Sequence, residues 1–180
     1  DSQVLAQNLI NGANNFSLLA IPFFVLAGEI MNEGGLSKRI IDLPMKLVGH
    51  YKGGLGFVAI LAAMIMASLS GSAVADTAAV GAMLFPMMKK AGYAQERSAG
   101  LIASGGIIAP IIPPSIPFII FGVASGVSIS KLFLAGIAPG VLIGIMLCGI
   151  WYLIAKRMNS QSMQKASAKE ILSSFRSSFW

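Results

Sequence analysis

Residues 66–77 read Met66-Ala67-Ser68-Leu69-Ser70-Gly71-Ser72-Ala73-Val74-Ala75-Asp76-Thr77 (MASLSGSAVADT). They lie between the apolar runs GGLGFVAILAAMI and AAVGAMLFPMM. Residues 53–88 together carry a single charge, Asp76, and Ser70-Gly71-Ser72 falls near their middle. One helix through all of them would be about 54 Å long at 1.5 Å per residue. A bilayer core is roughly 30 Å thick, so the segment is too long for one crossing and too short for two. Divided at Ser70–Ser72, each arm is about 25 Å long, slightly less than a span. That length predicts a re-entrant hairpin that enters and leaves on one side, with its polar residues at the tip.

Composition agrees with a membrane setting. Of the 180 residues, 56% are hydrophobic and 11% charged, against roughly 25% charged in a soluble domain, and mean hydropathy is +0.78. Residues 98–130 and 132–155 contain no charge. The single cysteine, Cys148, lies in an apolar run, which excludes a disulfide framework and a cysteine-based metal site. The net charge of +6 raises the question of nucleic acid. The basic residues, however, lie between the apolar runs and in the tail, where membrane topology accounts for them, and no nucleic-acid partner is read. No signal peptide is visible and the first residue is Asp1, so the sequence reads as a piece of a longer protein.

Charge parity tests the hairpin. If 53–88 re-enters while 98–130 and 132–155 each cross once, 12 of the 13 Lys and Arg residues share one side and only Lys131 lies opposite. If 53–88 crosses fully, the split is 5 against 8. The positive-inside rule prefers the first arrangement, with the hairpin opening to the cytoplasm and Lys131 facing out. The sequence thus parses as an apolar helix plus an amphipathic cytoplasmic connector (1–52), a re-entrant hairpin (53–88), a broken transmembrane helix (89–130), a transmembrane helix (131–157) and a cytoplasmic amphipathic segment (158–180). Pro22 is expected to start or kink the first helix, and Pro44 to break the connector in two. Ala138-Pro139-Gly140 marks a kink or a late helix start. Trp151 and Tyr152 are expected at a membrane interface.

The second break is SGGIIAPIIPPSIPFIIFG, residues 104–122. Pro110, Pro113, Pro114 and Pro117 remove four amide donors, and each interior proline costs a helix about 3 kcal/mol or more. Two half-helices are expected, near 98–108 and 116–128, with Ser115 capping the second. Irregular backbone at membrane depth is tolerated only inside protein or along a cavity, so the hairpin tip and this link should face a shared interior. Discontinuous helices meeting there are the sequence pointer to a transporter binding site. Hydroxyls of Ser70 and Ser72 and carbonyls around Gly71, Gly105, Gly106 and the 109–115 link suit a small hard cation. Half-helix N-termini suit a carboxylate.

Several motifs in order, FFVLAGEIMNEGGLSKRI, SLSGSAVADTAAVGAMLFPMMKKAGY, GLIASGGIIAPIIPPSIPFIIFG and SKLFLAGIAPG, resemble the large membrane subunit of tripartite ATP-independent periplasmic (TRAP) transporters. The resemblance covers about residues 1–157. It implies an all-α polytopic protein of the bacterial inner membrane, the first repeat of an inverted-repeat elevator transporter. It further implies a small membrane subunit and a periplasmic substrate-binding protein as partners, and sodium-driven uptake of an organic acid, a carboxylate or sugar acid. On this resemblance Ser70, Gly71, Ser72, Gly105, Gly106 and Pro113, with the adjoining Pro114 and Ser115, belong to a sodium site; Pro114, Ser115, Asp76 and Thr77 are the candidates for facing the substrate. The family carries a second, inverted repeat that this sequence does not include, so a complete transport site is not expected from these residues alone.

Blander readings stand beside these. Small residues at Ser70–Ser72 also serve helix packing. Asp76 follows the tip, where a helix dipole favours an acid as well as a ligand role does. Glu29 reads as interfacial and His50 as solvated. A serine nucleophile within 69–73 needs a nearby base, and the only histidine is remote in sequence, so no enzyme is read. The alternative of another class is a non-transporting structural or assembly subunit.

Overall fold

The computed structural model describes residues 2–158 and 166–167. The amphipathic segment expected at 158–180 therefore falls almost wholly outside the described residues. Among the described residues all regular structure is helical: α1 (Ser2–Ala13), a 3-10 turn (Phe16–Leu19), α2 (Ala20–Glu33), α3 (Leu36–Val48), α4 (Gly54–Ser70), α5 (Ala73–Lys90), α6 (Gln95–Gly106), α7 (Ile116–Ser125) and α8 (Ile129–Lys156).

α4 is the axis of the bundle. Its Ala, Leu, Ile and Met residues favour helix, and apolar groups surround it on all sides, the pattern of a helix enclosed by others. Val58, Ile60, Ala62 and Ala67 are fully enclosed. α2, α3, α5, α6 and α8 all pack on it. The main core joins α4 to Val80, Leu84 and Met88 of α5, Leu101 and Ile102 of α6, Ile40 and Ile41 of α3, and Trp151 and Ala155 of α8.

The connector differs from expectation. Pro44 does not break it, because α3 runs unbroken from Leu36 to Val48 with Pro44 inside. Ile40, Ile41 and Pro44 are buried, and burial of this apolar face against α4 outweighs the hydrogen bond that proline forfeits. Pro22 lies in the first turn of α2, where a missing amide costs little.

α8 is unlike α4. It is the one described helix long and apolar enough to cross a membrane alone, about 42 Å at 1.5 Å per residue. Leu134, Leu142, Ile145 and Leu153 are exposed along it, as befits a lipid-facing surface. Pro139 lies inside the helix, so the helix does not start late. Its inward stripe is Gly136, Gly140 and Gly144, all buried. A methyl group on each would strike Phe118, Ile112 and Met64 respectively. Small residues here let α7, the 107–115 link and α4 approach the α8 backbone closely.

Trp151 also departs from expectation. Instead of standing at an interface with Tyr152, it is 1% exposed. Its Nε1 donates to the Gly53 carbonyl at 2.9 Å, its ring stacks on Tyr93 at 6.1 Å, and Gly56 leaves room for the indole. Lys52 Nζ donates to the Lys156 carbonyl at 3.3 Å beside it. This clamp ties the start of α4 to the end of α8. In a full-length permease carrying this segment, Trp151→Phe should lose about 1 kcal/mol with the hydrogen bond. Trp151→Ala should lose about 3–5 kcal/mol through the cavity left behind. Thermal unfolding in detergent reads both, and a Tyr152→Ala control should shift far less.

Candidate functional site

The break between α4 and α5 is two residues long and each residue has a job. Gly71 takes φ +62, the left-handed conformation that ends a helix, and its N–H donates to the Ala67 carbonyl at 3.3 Å. Glycine adopts this without the strain any side chain adds. Ser72 is extended and caps α5, its hydroxyl accepting from Ala75 N at 3.4 Å. Ser72 N–H in turn donates to Ser70 Oγ at 3.1 Å.

The second break, 107–115, is a series of turns. Ile108 N and Ala109 N donate to the carbonyls of Gly105 (3.1 Å) and Gly106 (3.2 Å), and Ile111 N and Ile112 N to that of Ile108. Pro113 and Pro114, joined by a cis peptide bond, supply no donors and end this series. Ser115 then restarts the helix. Its hydroxyl accepts from Phe118 N at 3.3 Å and donates to the Pro110 carbonyl at 2.5 Å, so one fully enclosed side chain ties the middle of the link to the first turn of α7.

The two breaks meet. A methyl group at Gly71 would run into the Pro114 carbonyl oxygen and lie 3.5 Å from Ser115 Cα. Gly71, Pro114 and Ser115 are therefore one junction, with Ser70, Ser72 and Pro113 adjoining in sequence. Thr77 packs one helical turn along, its side chain filling the space a Gly106 side chain would take. Gly105 faces Ala63 of α4 instead, with its missing Cβ 3.1 Å from that methyl.

Asp76 lies on another flank of the tip. It is 1% exposed, sits in the first turn of α5, and its Oδ1 accepts from Ser70 Oγ at 2.6 Å. Its Oδ2 is buried with no hydrogen-bond partner. Ser70 and Asp76 line a cavity of about 10 Å³ whose other walls include Gly28 and Met31 of α2 and Ser37 and Ile40 of α3. That volume is at the lower limit for one water-sized occupant. The α2 and α3 walls escaped the sequence reading. The only signal was Gly28, a small residue in an apolar stretch, whose missing Cβ lies 3.3 Å from Ser70 Cβ.

The donors near the junction are hydroxyls, carbonyls and one carboxylate. No group of three or more His, Cys, Asp or Glu residues able to hold a metal ion occurs among the described residues, so nitrogen- or sulfur-loving metals have no site there. His50 belongs to the turn before α4 and packs on Tyr51 at 4.1 Å. α4, about 25 Å long, separates it from Ser70, so no histidine serves the serines.

An all-helical protein with an apolar helix of membrane-spanning length and two helix breaks that meet inside it is the class these observations define. The family described as "Tripartite ATP-independent periplasmic transporter, DctM component" matches residues 1–180, and the chain belongs to it. It is 71% identical over 180 residues to the 2,3-diketo-L-gulonate TRAP transporter large permease protein YiaN of Escherichia coli K12, covering all of this chain and 42% of that protein. It is 42% identical over 174 residues to the sialic acid TRAP transporter permease protein SiaT of Haemophilus influenzae, covering 97% of this chain and 28% of that protein. It is 40% identical over 176 residues to the C4-dicarboxylate TRAP transporter large permease protein DctM of Pseudomonas aeruginosa, covering 98% of this chain and 41% of that protein. The chain thus spans less than half the length of these relatives. They are transporter permeases and not enzymes, and the family places the chain in a bacterial membrane.

Gly71→Ala tests the junction. The left-handed conformation alone costs an L-residue roughly 1–2 kcal/mol, and the new methyl meets a carbonyl on a restrained link. We expect a loss of about 2 kcal/mol or more in thermal stability of the full-length permease, whereas Gly92→Ala, also at positive φ but in open space, should lose only the first part.

Proposed function

We propose that this chain is the first half of a sodium-coupled secondary transporter that imports an organic acid delivered by a periplasmic binding protein. The observation that carries this reading is the contact of Gly71 with Pro114 and Ser115, which joins two interrupted helices at one place. Broken helices of this kind give transporters their ion and substrate sites. On this reading α4 and α5 form the re-entrant hairpin, α6 and α7 the broken span, and together they form one repeat of an inverted-repeat elevator. A second repeat in the remaining length of the permease completes the site. The protein is multi-pass in the inner membrane and works with a small membrane subunit.

The oxygen chemistry of the junction fits sodium. Ser70, Gly71, Ser72, Gly106 and Pro113 offer hydroxyl and carbonyl oxygens, the ligands hard cations take, and a buried carboxylate oxygen without a partner lies one hydrogen bond from Ser70. Gly105 contributes through its carbonyl, its α-carbon being packed on Ala63. The N-terminal end of α7, beyond Pro114 and Ser115, presents the positive end of a helix dipole, which suits a carboxylate, although Pro117 has no amide and Phe118 N–H is held by Ser115. The substrates named for the three relatives, diketogulonate, sialic acid and C4-dicarboxylates, are all organic acids. Substrate choice within that class belongs largely to the binding protein.

Uptake by the full-length permease with its partner subunits tests the site. Replacing Ser70 and Ser72 together by Ala should raise the sodium concentration for half-maximal uptake about 10- to 100-fold, the range typical when the surroundings of a bound metal are altered. Unchanged sodium dependence with full uptake favours the alternative of a structural or assembly subunit. Topology has its own test. In a Cys148→Ser background, impermeant thiol reagents should label Lys131→Cys from outside, and Lys38→Cys and Lys90→Cys only from the cytoplasm. A full crossing of 53–88 instead places positions 38 and 131 on one side and position 90 on the other.

A further inference from the structure

We infer that Asp76 is the counter-charge and positioning residue of the cation held at Ser70, and not a substrate contact. The inference rests on the proposed sodium site. Three observations carry it. First, the carboxylate is 1% exposed, its Oδ1 is bonded to the neutral Ser70 hydroxyl, and its Oδ2 has no hydrogen-bond partner. A buried charge without a partner is costly, and proteins keep one where a cation or another charge answers it. Second, the Ser70 hydroxyl spends its proton on Asp76 Oδ1 at 2.6 Å and one lone pair on Ser72 N–H at 3.1 Å. A hydroxyl has one proton and two lone pairs, so a single lone pair is left. The carboxylate thereby fixes Ser70 as an acceptor and makes its oxygen more electron-rich, as carboxylates do behind metal-bound groups. Third, Asp76 looks into the cavity between α2, α3 and α4, while the substrate-facing candidates Pro114 and Ser115 meet the tip at Gly71. The cavity walls are otherwise largely apolar, and the polar ones are serines, Ser37 and Ser70. They leave the carboxylate's charge to be answered from the tip.

The test is the sodium-dependent thermal stability of the purified full-length permease, read without transport. Wild type should be stabilised as sodium rises. Asp76→Asn keeps an oxygen that can accept from Ser70 but removes the charge. Its sodium midpoint should rise about 10- to 100-fold, while its melting temperature without sodium should equal or exceed that of wild type, because an unanswered buried charge is gone. Asp76→Ser, smaller and neutral, provides the same reading if the Asn variant does not fold. A midpoint equal to wild type overturns the inference, as does a sodium-free melting temperature well below wild type with a normal sodium response, the mark of a purely structural residue. No stabilisation of wild type by sodium strikes the sodium reading itself, and with it this role for Asp76.

Discussion

A helix that stops inside a packed helical protein leaves buried backbone groups that need partners, and everything around residues 70–73 and 107–115 answers that constraint. At the first stop a left-handed glycine returns its amide to Ala67, and Ser72 caps the start of α5. At the second, turns consume the amides of Ile108, Ala109, Ile111 and Ile112 until the prolines remove further donors, and Ser115 closes the link. The two repairs are not independent. Gly71 can be left-handed and close to Pro114 only because it has no side chain, and Pro114 can sit there only because the tip is that thin. The rest of the bundle is built to suit: α4 is packed by α2, α3, α5, α6 and α8, which hold the tip in place, and the glycines of α8 admit the link.

The breaks were legible because they are written in local chemistry. Glycine and serine between two helical runs, and four prolines within eight residues, cannot be anything but interruptions, and Ser115 falls where a cap belongs. Helix ends came within a few residues of the expected positions for the same reason. What local chemistry could not show was which neighbour a residue meets. Pro44 reads as a breaker by propensity, yet sits inside α3 because its ring is buried beside Ile40 and Ile41. Trp151 reads as an interface aromatic, yet Gly53 and Gly56, almost a hundred residues earlier, provide an acceptor and a slot. In both cases tertiary burial overrode a local preference.

Within the candidate site the same division holds. That the tip and the link belong together followed from the need to bury both, and the close approach of Gly71 to Pro114 agrees with it. The separate orientations of the residues did not follow. Gly105 and Gly106 are adjacent in sequence but point a helical step apart, one to Ala63 and the other to Thr77. The α2–α3 wall of the cavity beside Ser70 has no motif of its own, since Gly28 and Ser37 are ordinary residues until packing brings them there.

Asp76 joins these levels. Its position in the first turn after Ser72 satisfies the helix dipole, which alone accounts for an acid at that point. A dipole, however, needs no partner at 2.6 Å and gives no reason to enclose the carboxylate. An acid serving only the helix end would be as effective half exposed, and its burial would add cost without return. The hydrogen bond from Ser70 ties the charge back across the break, so the last residue of α4 and the first turn of α5 share one polar unit. The break is therefore more than an interruption repaired. Its two sides are coupled through a charge, and whatever answers that charge also acts on the geometry of the tip.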